Sequence, residues 1–409
     1  MRRLFALLAI LLFLDHTTRS AGLPSLSSTG AASFDRMFQA AVDKGEIPGV
    51  VAAVTNKDQV LYIRAFGKQD VAKGVPMSKD TVFRIASMTK PITSVGIMML
   101  YEQGTLRLDD PVANVLPAYR GREVMATFNE KDATYTTRPA NREITIRHLL
   151  THTSGLSYPF TSPTVLAIQT KTGKDPKDLP LLFDPGTKWN YSPATGVLGD
   201  VIVKLSGQSL EEWDQARIFR PLGMVDTSYT PAPGKAARLA TVHQREATGL
   251  VENANPPLYT PDVRGDGGLV STASDYAAFL QMLLDEGSWH GKQLLKPQTV
   301  RLMTSNQIGS VVVDTMPAAI PRRSASFPFG AGKDKFGFGF QLTVTDGART
   351  HERGAGSYTW GGINNTHFWV DPKNGIGVVI LTQVLPFYNA TSMEVVNRFE
   401  RLIYEHLQQ

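Results

Sequence analysis

The chain has 409 residues, 42% hydrophobic and 19% charged, with a net charge of +5 at neutral pH. That length permits a substantial core in one large domain or two entwined ones, and the balance is that of a soluble enzyme, not a disordered or fibrous chain. No run of Lys or Arg supports nucleic-acid binding, and the absence of cysteine excludes disulfides, thiolate metal sites and a lipid-modified cysteine.

Arg2 and Arg3 precede an unbroken apolar run from Leu4 to Leu14, and Thr18-Arg19-Ser20 puts small residues where a signal peptidase cuts. Residues 1–20 therefore read as a signal peptide whose apolar part is too short to span a bilayer. The expectation is export to the periplasm or the medium, with no membrane span after cleavage. Residues 21–33, rich in Ser, Gly and Ala, read as a flexible leader. Phe34, Met37, Phe38 and Val42 fall on one helical face that Gly45 stops. Residues 50–55 and 60–66 are β-rich runs joined by Asn56-Lys57-Asp58, a hairpin signal.

Between 118 and 295 strand patterns thin out, with helices expected at 146–151, 194–206 and 276–286. Strands return after about residue 336. Residues 339–345 and 348–352 flank Asp346-Gly347, and 367–370 and 377–382 flank Asp371-Pro372-Lys373-Asn374-Gly375, so each pair predicts a hairpin. Val396, Phe399, Leu402 and Ile403 share one face of a closing helix. Strands at both ends imply one sheet made by the two termini: an α/β lobe of 34–117 and 296–409 with a mostly helical lobe, 118–295, inserted. The fold class is α+β, with a cleft between the lobes.

The first chemical signal is Ser87-Met88-Thr89-Lys90. Ile92, Val95 and Met99 follow at helical spacing and Gly104 supplies a stop, so Ser87 and Lys90 share one face of a helix start. A serine hydroxyl needs a base, and lysine serves only when burial or a neighbouring cation lowers its pKa. By itself the pair is also consistent with a capped surface helix. Tyr191, in Trp189-Asn190-Tyr191-Ser192-Pro193, can relay a proton if a lysine cation lowers its phenol, or can simply pack. In Trp360-Gly361-Gly362-Ile363 the glycines allow close backbone approach and an oxyanion N–H, or mark a bulge.

These three signals together resemble the serine β-lactamase and penicillin-binding-protein superfamily, in its class C-like branch, near the family VIII carboxylesterases. Further blocks carry the likeness: Ile146-Arg147-His148-Leu149-Leu150-Thr151-His152-Thr153-Ser154-Gly155-Leu156, Phe219-Arg220-Pro221-Leu222-Gly223-Met224 and Asp266-Gly267-Gly268-Leu269-Val270-Ser271-Thr272. The resemblance implies a β-lactamase/transpeptidase-like fold, its antiparallel sheet flanked by terminal helices. It implies Ser87 as the acylated nucleophile, Lys90 as its base and Tyr191 as activator or proton carrier. The backbone N–H of Ile363 would join that of Ser87 in an oxyanion hole, beside Trp360, Gly361 and Gly362 as the substrate-binding stretch. No cofactor and no metal are implied.

Two departures point away from lactams. Pro193 stands where the second motif of β-lactamases has Asn, and Trp360 and Gly361 stand where the third has a cation and a hydroxyl residue. A lactam carboxylate would lose a charge-assisted bond there, and an indole offers an apolar wall that suits a neutral ester. The expected activity is carboxylic ester hydrolysis on short- to medium-chain esters. The alternatives are β-lactam or D-amino-acid peptide hydrolysis, acyl transfer to an alcohol, or a penicillin-sensing protein that acylates and stalls. His148 and His152, at i and i+4, lack a third ligand at motif spacing. Tyr158, Phe160, Trp189 and Tyr358 are candidates for lining an acyl pocket.

Overall fold

The computed structural model describes residues 23–253, 263–345 and 352–408. Its centre is an antiparallel sheet of eight strands drawn from both ends of the chain. Three long strands come from the C-terminal part, β3 (Tyr358–Gly362), β4 (Thr366–Asp371) and β5 (Ile376–Leu381). Two come from the N-terminal part, β1 (Gly49–Thr55) and β2 (Val60–Asp70). β5 pairs with β1, Val379 opposite Ala53, which closes the two ends into one sheet. Two-residue strands, Lys335–Phe336, Gln341–Leu342 and Val75–Pro76, finish the edges.

The pleat sorts side chains to two cores. Val50, Ala52 and Val54 of β1, with Val378 and Ile380 of β5 and Trp369 of β4, meet α1 (Gly30–Asp43) and the closing helix. Phe34 and Phe38 of α1 reach Phe399, the rings 5.3 and 4.7 Å apart. The intervening residues Val51, Ala53, Val379, Leu381 and Phe368 face the other core. Every residue of β1 and β5 is buried, which is why both read as continuous apolar runs and not as alternation.

That second core holds α2 (Thr89–Glu102), buried along residues 89–100, with α3 (Ala194–Ser206) and α4 (Ala273–Leu284) against it. A helix apolar all round belongs inside a protein. The last helix, α5 (Ala390–His406), lies with α1 on the first face. Both expected hairpins at 50–66 and 367–382 form, with Asn56 accepting from the amides of Asp58 and Gln59 through its side chain.

Two expectations need adjustment, and a third falls outside the described residues. The stretch 118–295 holds more strand than its sequence suggests: Glu123–Asn129 pairs with Thr134–Pro139, and His243–Glu246 with Gly249–Glu252. Asp346-Gly347 and residues 348–351 lie outside the described residues, as do residues 1–22. Gln341–Leu342 pairs with Lys335–Phe336 on one side and with β3 on the other. Ser87 sits not in the first turn of α2 but in a separate 3₁₀ turn, Ala86–Met88, just ahead of it. Among the described residues no helix is long and apolar enough to cross a membrane.

Candidate active site

Ser87 is presented by a strained turn. Ala86 has φ +46°, a left-handed conformation that costs a non-glycine residue about 1–2 kcal/mol. The neighbouring groups hold it there: Ile85 N–H donates to Leu269 O (3.1 Å), Met88 N–H to Ile85 O (3.0 Å), and the buried Tyr276 hydroxyl to Met88 O (2.9 Å). Strand β3 presses on the same turn. A Cβ on Gly362 would lie 2.2 Å from Ile85 O and 2.3 Å from Thr366 Oγ1, so only glycine permits this approach.

Lys90 follows one helical turn later, 1% exposed. Its Nζ stands 3.2 Å from Ser87 Oγ, 2.6 Å from Asp266 O and 3.1 Å from Tyr158 Oη. Burial brings its pKa down to about 7; the Asp266 carboxylate acts against that fall and the Arg264 cation with it. In the neutral amine, two N–H groups are taken by Asp266 O and Tyr158 Oη, which leaves the lone pair for the Ser87 hydroxyl. The Tyr158 hydroxyl itself donates to Asp266 Oδ2.

Tyr191 Oη donates to Ser87 Oγ at 2.5 Å. Its loop is fixed by Asn190, whose N–H reaches His152 O (2.9 Å) and whose side chain reaches Leu156 O (2.8 Å). Burial pushes the phenol pKa up, partly offset by Ser87 and the nearby Trp360 indole. The expectation of a phenol lowered by a lysine cation is corrected here: burial outweighs any such effect and raises the Tyr191 phenol, which stays protonated and is a donor to Ser87. Lys90 is therefore the group able to accept a proton.

The structure places the other candidates less evenly. Ile363 lines the same cavity as Ser87, a space of about 750 Å³. Trp360, Gly361 and Gly362 are not among the lining residues. Trp360 is buried behind Tyr191, ring centroids 5.0 Å apart, with its Nε1 near the phenol but not completing a hydrogen bond. The apolar wall expected from Trp360 comes instead from residues such as Phe160, Leu269 and Leu385. Of the four aromatic candidates, Tyr158 and Phe160 line the cavity, whereas Trp189 and Tyr358 are buried in the core.

His148 and His152 do not converge. His148 Nδ1 accepts the Thr145 N–H in a capping box, and His152 Nδ1 lies 3.1 Å from Ser192 Oγ. What sequence reasoning missed is the Asp266–Tyr158–Lys90 chain. Asp266 opens the stretch Asp266-Gly267-Gly268-Leu269, but nothing local joins it to Tyr158, 108 residues away.

Known proteins resemble this chain along most of its length. The family model described as Beta-lactamase matches residues 34–399. Lovastatin esterase of Penicillium rubens is 30% identical, covering 90% of this chain and 97% of its own. Esterase EstB of Burkholderia gladioli is 31% identical, over 90% and 93%. Among solved structures, simvastatin synthase of Aspergillus terreus, as a LovD6 mutant, superposes with a TM-score of 0.80 at 28% identity, over 92% of this chain and 95% of that one. The fold is accordingly of the β-lactamase/transpeptidase type. A match running from within α1 into α5, on a scaffold that buries a lysine beside a serine, makes this chain a serine hydrolase that belongs to the Beta-lactamase family.

Proposed function

We propose that the protein is a carboxylesterase for short- to medium-chain esters, working through an acyl-enzyme on Ser87. One observation carries the reading: a lysine only 1% exposed, poised near pKa 7, stands 3.2 Å from a serine hydroxyl. Lys90 takes the Ser87 proton as Oγ bonds to the ester carbonyl carbon. Tyr191 steadies the oxygen at the moment of attack, passes its phenol proton to the departing alcohol as the C–O bond breaks, and is reprotonated at the expense of the Lys90 ammonium, which leaves the amine neutral again. Lys90 then activates water, the acyl–Oγ bond breaks, and the acid leaves with Ser87 restored. The amides of Ser87 and Ile363 hold the oxyanion, each worth roughly 3 kcal/mol in the transition state.

The preference for esters over lactams rests on two departures in sequence, Pro193 in place of the second-motif Asn and Trp360-Gly361 in place of the third-motif cation and hydroxyl residue. A second reading, acyl transfer, is favoured by the relatives, whose names divide between esterase and synthase: an alcohol outcompeting water at the same acyl-enzyme gives a new ester. Sustained hydrolysis of p-nitrophenyl butyrate, lost in Ser87→Ala, with little opening of nitrocefin, is the expected result. Rapid nitrocefin turnover would reverse the assignment, and stoichiometric labelling without release would indicate a sensor. Adding a primary alcohol and detecting the new ester by mass spectrometry tests transfer. Export belongs to the same proposal; an N-terminus still beginning at Met1 in the mature protein would refute it.

A further inference from the structure

The cavity in front of Ser87 is lined by Arg84, Arg264, Arg322 and Arg323, and among the described residues by a single carboxylate, Asp266. That carboxylate is turned inward. It is 4% exposed, accepts the Tyr158 hydroxyl, and lies 3.6 Å from Arg264 Nε. Arg322 is drawn away by Glu246, at 2.8 Å, which is not among the lining residues. Arg323 differs from both. It forms no ion pair with any described carboxylate, and its guanidinium sits 5.9 Å from the ring centroid of Phe160, next to the active-site tyrosines. Partial burial and then the neighbouring Arg264 charge both loosen its hold on its proton.

Like charges gathered round one concavity repel. A surplus of guanidinium groups in a cleft does, however, focus a positive field where a ligand enters. The planar fork of arginine matches a carboxylate through two parallel hydrogen bonds. The reacting carbonyl, neutral itself, would be held at Ser87 among apolar walls while the charge is met at the rim.

We propose that the preferred substrate is an ester bearing a carboxylate away from the scissile carbonyl, and that Arg323, with Arg264 beside it, receives that carboxylate. This rests on the reading of Ser87 as an esterase nucleophile. The carboxylate can belong to the acyl part or to the alcohol part, and the cavity serves either.

Two matched pairs separate these cases. For the acyl side, mono-4-nitrophenyl adipate is compared with the 4-nitrophenyl ester of adipic monoamide. For the alcohol side, 3-(butanoyloxy)benzoate is compared with 3-(butanoyloxy)benzamide. In at least one pair the charged ester should show a kcat/KM higher by about tenfold, as expected for a charge-assisted bond at a partly solvated site. That advantage should shrink as salt is raised. It should fall to about twofold or less in Arg323→Gln, while Arg322→Gln keeps the wild-type ratio. Steady turnover of all four esters with no advantage for either carboxylate would overturn the inference and leave the esterase reading intact. An advantage that survives both salt and Arg323→Gln would overturn the residue assignment. Failure to turn over any of the four, with no acyl mass on Ser87, would remove the esterase reading and the inference with it.

Discussion

At the scale of single residues, the protonation of Lys90 decides the chemistry. Burial lowers its pKa to about 7, so the amine gains its lone pair as pH rises through that value. The acidic limb of kcat/KM should therefore have a midpoint near pH 7, and burial keeps the Tyr191 phenol protonated above it. The Asp266 charge favours the ammonium form, so Asp266→Asn should move that midpoint to lower pH while weakening the base. A midpoint that rises in Asp266→Asn, or that lies near 10 in the wild type, would contradict the assignment. Tyr191→Phe removes the 2.5 Å hydrogen bond to Ser87 and should lower kcat by about 10²-fold or more. Retention of half the wild-type kcat would mean that Tyr191 only packs.

At the scale of elements, the contact between β3 and the turn at Ala86–Met88 sets the geometry. Gly362→Ala puts a methyl 2.2 Å from Ile85 O, and backbone cannot yield without moving Ser87. A displacement near 1 Å at the nucleophile costs about 10²-fold in rate, so kcat/KM should fall by that much with circular dichroism unchanged. Gly361→Ala meets mainly the His367 ring, at 2.9 Å, and should do less harm. Equal activity in both variants would show that β3 does not position the nucleophile. The sequence displayed the parts of this arrangement that are local. The helix after Ser87, the Asn56 hairpin and the Trp360-Gly361-Gly362 stretch are all coded within a few residues of one another. The contacts that tune Lys90 are not: Tyr158 and Asp266 lie in loops without periodicity and meet only through the fold. The hairpin Glu123–Asn129 with Thr134–Pro139 was equally hard to see, because its apolar residues Val124, Met125, Ala126 and Phe128 do not alternate with polar ones and much of it is exposed. Trp360 shows the opposite hazard, since its place in the chain suggested a substrate wall and its packing put it behind Tyr191.

At the scale of the molecule, α1 and α5 cover the same face of the sheet in which β5 pairs with β1, and α5 helps to hold that face together. Arg353 enters that face just before β3. Its Nε and Nη2 donate to the two oxygens of Glu400 at 2.7 Å each, its N–H adds a third bond at 3.0 Å, and its guanidinium stacks 4.4 Å from the Trp369 ring centroid. Burial alone would raise the Glu400 pKa, but the arginine outweighs it and the net shift is downward. A depressed carboxylate contributes stability that is fully present above its unfolded value, near 4.5, and is lost as pH falls through the lower folded value. Glu400→Gln should cost about 1–3 kcal/mol at pH 7, because it leaves the Arg353 guanidinium, only 19% exposed, without its charged partner, and should flatten the loss of stability below pH 4.5. The double change Arg353→Met with Glu400→Leu keeps the volume, removes both charges and should recover much of that loss. Urea unfolding at pH 7 and pH 4 checks all three forms. If Glu400→Gln were as stable as the wild type at pH 7, the pair would be incidental, and the fastening of α5 would have to come from apolar packing by Met393, Val396, Phe399 and Ile403.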